Sequence, residues 1–128
     1  MKLLLDTSTF LWAIADPDLL SPRARDALSD PDNELFLSAA SAWEIAIKVA
    51  LGRIKISGPV EKLVPTEMAA LSIEPLPVLH SHALRTIKLP PLHRDPFDRL
   101  LVAQTQVDHL TLVTSDRAIR SYAVPVVW

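Results

Sequence analysis

KLLLDTS, residues 2–8, is the stretch on which the reading of the fold turns. An apolar run, Leu3-Leu4-Leu5, ends abruptly in the carboxylate Asp6, and two hydroxyls, Thr7 and Ser8, follow. Consecutive apolar residues without alternation suit a strand buried on both faces, as in a parallel sheet covered by helices. Open sheets of that kind place their ligands outside the carboxyl ends of the strands, and Asp6 falls at such an end. A segment built for burial that delivers a charge at its tip therefore points to a site.

The rest of the chain repeats the pattern. ELFLS (34–38), IEPLPV (73–78), TLVTS (111–115) and VPVVW (124–128) read as further short strands. Helical segments separate them: 8–15, then SPRARDALSD (21–30) opened by Ser21-Pro22, and SAWEIAIKVALG (41–52) stopped by Gly52. GPVEKLVPTEMAALS (58–72) is helical with an interruption at Pro65, and HSHALRTI (80–87) is a short helix. DPFDRLLVAQTQVDHL (95–110) carries Asp95 as N-cap and Pro96 in its first turn, and DRAIRSY (116–122) is a helical turn. Strands alternating with helices predict right-handed crossovers and an α/β fold, a three-layer α/β/α sandwich on a mostly parallel sheet. The expectation is one domain over residues 1–128.

Composition narrows the chemistry. A 49% hydrophobic content supports a core and argues against disorder. The absence of cysteine removes disulfides, thiolate metal sites and cysteine nucleophiles, and suits a reducing compartment. With two glycines there is no glycine-rich phosphate loop. Thirteen Lys and Arg against fifteen Asp and Glu give a net charge of −2, so nucleic acid would not be held by bulk charge. Such a ligand would need a local basic rim, a metal or a small contact area. No secretory h-region or membrane-length apolar run is read, and the protein is expected to be cytoplasmic, without membrane attachment.

Four carboxylates stand at element junctions: Asp6 after the first strand, Glu44 early in SAWEIAIK, Asp98 in the first turn of DPFDRLL and Asp116 after TLVTS. Each has a bland explanation. Asp6 and Asp116 can cap the helices that follow, Ser41 to Glu44 matches a capping box, and Asp98 favours a helix dipole. Together they say more. The helix carrying Glu44 is apolar on nearly every side, with Lys48 as its only other charge at the spacing of a helical pair. Glu44 is therefore expected to face a cleft, and Asp98 likewise. Carboxylates converging on one pocket repel, and a divalent cation relieves this. Oxygen ligands favour Mg²⁺ or Mn²⁺ over zinc, and such ions meet phosphates. His80, His82, His93 and His109 read as surface or rim residues, and Ser8 and Thr114 as hydrogen-bond partners of the acids rather than nucleophiles.

The blocks LLLDTSTFLW, SAASAWEIAIKVALGRI, LPPLHRDPFDRLLVAQTQ and LTLVTSDRAIRSYAVPVV resemble, in order and spacing, the PIN-domain family and within it the VapC-type toxins of bacterial toxin–antitoxin pairs. The resemblance spans essentially the whole chain. It implies a Mg²⁺- or Mn²⁺-dependent endoribonuclease whose acids are Asp6, Glu44, Asp98 and Asp116, the same residues that the junctions select. It implies a homodimer, a small antitoxin whose C-terminal segment fills the active groove, and structured RNA targets, tRNA or rRNA among them. Thr105 stands where the family has a small residue such as Ala. Lys48, Arg94, Arg99 and Arg117, near the acids in sequence, are candidate phosphate contacts, and Arg53 reads better as a surface charge. The SPRARDALSD and GPVEKLVPTEM helices are candidates for the dimer surface. Two rival readings are a phospho-acceptor receiver-like domain, disfavoured by the single acid after the first strand, and a non-catalytic interaction module whose acids are caps only. Cleavage of DNA stays open.

Overall fold

The computed structural model describes residues 1–128. In chain order the elements are β1 (Lys2–Leu5), α1 (Thr7–Ala15), α2 (Pro22–Ser29), β2 (Glu34–Ser38), α3 (Ala39–Ala50), α4 (Val60–Ala70), β3 (Ile73–Leu76), α5 (His80–Arg85), α6 (Pro96–Asp108), β4 (Thr111–Val113), α7 (Arg117–Arg120) and β5 (Val126–Val127). Short 3₁₀ turns at Pro17–Leu19 and Thr86–Lys88 extend the ends of α1 and α5. The five strands form one sheet in the order β3-β2-β1-β4-β5, and every pair is parallel.

That order decides where the site lies. From β1 the chain winds outward through β2 and β3, then returns to the other side of β1 as β4 and β5. The winding reverses between β1 and β4, and their carboxyl ends flank the crevice that such a reversal opens. Receiver-like domains use the order 2-1-3-4-5 instead, so that rival reading is excluded by topology.

The strand period of two splits the core between the faces. Leu3, Leu5, Leu35, Leu37 and Val113 point to a layer with Phe10 of α1, Ala24 of α2, Ile45 of α3 and Val64 of α4. Leu4 and Leu112 point the other way, against Leu101, Val102 and Ala103 of α6 and Ile119 and Tyr122 near the C-terminus. β1 is fully buried on both faces at Leu3, Leu4 and Leu5. No helix is long and apolar enough to cross a membrane.

Local chemistry sets the boundaries. Ser21 accepts the Ala24 N–H at 3.0 Å and Pro22 fills the first turn of α2. Gly52, at φ +74, takes the left-handed conformation that follows the end of α3. Two expectations change. Pro65 lies inside a continuous α4 instead of interrupting it, and β3, an edge strand that takes in Pro75, ends at Leu76 rather than running on to Val78. The large apolar side chains left exposed also differ from the candidate dimer helices. They include Leu79, Leu84, Ile87 and Leu92 around α5, not residues of α2.

Candidate metal centre

Asp6 is the point at which the two central strands are tied together. β1 hands it to the N-cap of α1, where Oδ1 accepts the Thr9 N–H at 2.8 Å. Its Oδ2 accepts the Thr114 hydroxyl. The Asp6 N–H and the Thr9 hydroxyl both donate to the Val113 carbonyl, at 3.1 and 3.0 Å. The Thr114 oxygen accepts in turn from the Asp116 N–H at 3.1 Å, and Asp116 Oδ1 caps α7 through the Ala118 N–H at 2.8 Å. The expected caps at Asp6 and Asp116 exist, and capping is what aims both carboxylates. Cap and site are one geometry here, not competing explanations.

Glu44 arrives from α3. The N-cap of that helix is Ser38, whose hydroxyl accepts the Ala40 N–H at 3.0 Å, so the capping box from Ser41 to Glu44 does not form. The helix begins one strand-end earlier, and Ser41 Oγ lies buried without a hydrogen-bond partner. Glu44 is 4% exposed; its Oε1 accepts the Thr7 hydroxyl at 2.6 Å and its Oε2 pairs with Lys48 one turn on. The bond to Glu44 holds the Lys48 ammonium protonated above its usual range. Asp98 comes from the first turn of α6, where Asp95 Oδ1 accepts the Phe97 N–H at 2.8 Å and the Asp98 N–H at 3.3 Å.

These side chains line one pocket of about 360 Å³ formed by Asp6, Thr7, Ser8, Glu44, Lys48, Asp95, Asp98, Ser115 and Asp116, with no apolar residue. Five acids face one lysine. Burial, above all, and then the neighbouring charge of Asp95 push the Asp98 carboxyl up to about 7. Burial likewise raises Asp6, although hydrogen bonds from Thr114 and Thr9 act against it. Carboxyls that cannot all ionise together fit a divalent cation, which would take the place of the retained proton. The donor set, almost all oxygen, suits a hard ion.

The four sequence-predicted acids therefore meet, with Ser8 exposed at the pocket, Thr114 bonded to Asp6 and Lys48 bonded to Glu44. Arg94 and Arg117 are exposed beside the acid-bearing loops. Arg99 is not available as a phosphate contact. Its guanidinium donates to the carbonyls of Pro90 at 2.8 Å, Thr86 at 3.1 Å and Leu89 at 3.4 Å and to the Tyr122 hydroxyl, clamping the segment before α6. His82 is not at the surface either: it is 1% exposed, between α5 and α6.

A family model described as "PIN domain" matches residues 3–125. The chain belongs to the PIN-domain family. Within it the chain groups with the VapC-type proteins: "Ribonuclease VapC22" of Mycobacterium tuberculosis is 35% identical over 124 residues, covering 95% of this chain and 92% of the relative. The PIN fold also aligns with VapBC2 of Rickettsia felis, solved bound to a DNA fragment from its promoter, at TM-score 0.72 and 18% identity over 98% of this chain and 97% of that one. A second match is VapBC-1 of nontypeable Haemophilus influenzae, at TM-score 0.65 and 16% identity over 98% and 96% of the two chains.

In this PIN domain Thr7 and Asp95, which line the pocket, and His93, which stands beside it, escaped the sequence reading as site residues. Asp95 was read only as a cap, yet its position three before Asp98 places both on one side of the first helical turn. His93 Nε2 lies 3.2 Å from Asp98 Oδ2 and 3.2 Å from Asp116 Oδ2, and ligand atoms of all three residues fall within 4.8 Å of one another. Nothing local in HRDPFD shows this, because Asp116 comes from a different element.

Proposed function

We propose that this VapC-type PIN domain is a toxin ribonuclease that hydrolyses RNA phosphodiester bonds with Mg²⁺ or Mn²⁺ held by Asp6, Glu44, Asp98 and Asp116. One observation carries the reading: four carboxylates from four separate elements converge, three of them oriented by named donors, in a pocket without apolar lining at the β1/β4 switch point. The cation, when bound, would polarise the scissile phosphate and lower the pKa of a water. The protein supplies the rest. Thr114 and Thr9 fix Asp6, the Ala118 N–H fixes one oxygen of Asp116, and Thr7 with Lys48 fixes Glu44 so that it can orient the attacking water. Lys48, Arg94 and Arg117 contact backbone phosphates at the pocket and its rim. The small contact area suits a chain of net charge −2, which selects structured RNA rather than gripping any strand.

The protein acts in the cytoplasm as a homodimer, and a small antitoxin closes the pocket with a short segment. The test is cleavage of total cellular RNA by antitoxin-free protein with Mn²⁺, with EDTA, and as Asp98→Asn. Discrete fragments that need both metal and Asp98 are expected. Intact RNA from a folded wild type that takes up no Mn²⁺ would leave the acids as caps and overturn the proposal. Equal cleavage of single-stranded DNA would overturn its RNA selectivity.

A further inference from the structure

His93 reaches the acid pocket from the loop before α6, and the structure fixes which of its nitrogens carries hydrogen. The Asp95 N–H donates to His93 Nδ1 at 3.0 Å. A nitrogen that accepts carries no proton, so the ring's hydrogen sits on Nε2. That Nε2–H donates to Asp116 Oδ2 at 3.2 Å, with Asp98 Oδ2 at the same distance of 3.2 Å. The imidazole is 19% exposed, which leaves it largely shielded from competing water.

We infer that His93 is a positioning residue of the metal centre: a tautomer-locked N–H donor that holds the Asp98 and Asp116 carboxylates at a shared separation for one cation. This rests on the metal-dependent reading above and adds a residue to it. The geometry separates donation from ligation. Nε2 bears the hydrogen, so it has no lone pair to give a metal unless the Asp95 contact breaks. A carboxylate oxygen, by contrast, can accept a hydrogen bond and keep a second lone pair. Two other acids of the cluster are held in the same manner, Asp6 by Thr9 and Thr114 and Glu44 by Thr7 and Lys48. The Asp98 carboxylate has His93 Nε2 at 3.2 Å. Without the ring, Asp98 in the first turn of α6 and Asp116 at the start of α7 lose the side chain that lies 3.2 Å from both. Such partners of ligating groups contribute about 10- to 100-fold in metal affinity.

Two substitutions divide the ring's contacts. In His93→Asn the side-chain oxygen can still accept the Asp95 N–H two residues on, as an Asx turn does, but nothing reaches the carboxylates. In His93→Gln the amide nitrogen lies near the position of Nε2 and donates to them, while the loop contact is lost. Mn²⁺ binding, read as loss of the free-ion electron spin resonance signal, should weaken about 10- to 100-fold in His93→Asn and His93→Ala. It should return to within a few-fold of wild type in His93→Gln. Circular dichroism checks that each variant is folded. Wild-type affinity in His93→Asn, or no rescue by Gln, would overturn the inference while leaving the metal reading standing. A strong directly bonded ¹⁴N coupling to Mn²⁺ in the wild type would make His93 a ligand and overturn it too. Absence of Mn²⁺ binding by the wild type would overturn both readings together.

Discussion

His82 and His93 are held in nearly the same way and sit in opposite surroundings. Each accepts a backbone N–H at Nδ1, from Leu79 and Asp95 respectively, both at 3.0 Å. Each turns Nε2 toward a carboxylate, Asp108 at 3.0 Å and Asp116 at 3.2 Å. His82 meets one acid, is 1% exposed and joins α5 to α6. His93 meets two acids at the rim of a pocket crowded with three more. The local motif is a way of fixing a tautomer, and the number of charges around it decides its use. One carboxylate is satisfied by the ring and makes a lock. Two, with others behind them, exceed what one N–H can satisfy and leave room for a cation.

The sharpest break in that comparison is Asp98→Asn. On the metal-holding role proposed for Asp98, its loss should lower RNA cleavage by about 10³-fold, since metal stabilisation of a transition state amounts to several kcal/mol. Single-turnover rates at saturating Mn²⁺ measure it, and activity within tenfold of wild type would remove Asp98 from the centre. The counterpart at the other histidine is His82→Ala, which strips partners from the Leu79 N–H and Asp108 and opens a buried gap. It should destabilise the fold by about 2–3 kcal/mol in urea titrations. Mn²⁺ affinity should stay at its wild-type value; a matching loss of affinity would mean that the two histidines are not separable.

A pH series sharpens the contrast further. The Asp98 carboxyl has a folded pKa of about 7 against a usual 3.8, so between those values the folded state binds more protons than the unfolded one. Metal-free stability should therefore fall as pH rises from about 4 to about 7 and level off above. Asp98→Asn should flatten that slope and be relatively stabilised at pH 7.5, whereas Mn²⁺ affinity of the wild type should strengthen over the same interval as the proton leaves. Urea midpoints at pH 5 and 7.5 decide it; identical slopes in both proteins would refute the assignment. The smallest effect belongs to Arg99→Lys, which keeps the charge but loses the fork on the carbonyls of Thr86, Leu89 and Pro90. About 1 kcal/mol of stability should go, with RNA affinity unchanged. A drop in affinity without a change in stability would restore Arg99 as a phosphate contact.

Most of the architecture was legible because its signals are local. Leu3-Leu4-Leu5 reads as a doubly covered strand whatever surrounds it, and Ser21-Pro22 and Asp95-Pro96 open helices by their own chemistry. Asp6, Glu44, Asp98 and Asp116 could be chosen because an acid at the end of an apolar element is conspicuous one segment at a time. The capping box at Ser41 failed for a related reason. Ser38 and Ser41 are both competent caps in sequence, and the end of β2 chooses the first.

Residue order alone thus specifies the strands and helices and the four acids at their junctions, all consequences of burial period and of backbone capping. Tertiary structure alone decided the company those acids keep. His93 and Asp116 are 23 positions apart, and His82 and Asp108 are 26. Neither pair is foreshadowed by any spacing, because a hydrogen bond between elements depends on how helices dock on the sheet. The return of the chain to the far side of β1 places β4 beside β1, and so brings Thr114 onto Asp6 and Asp116 into the pocket. Residue types set what each group can do, and the winding of the sheet sets which groups must do it together.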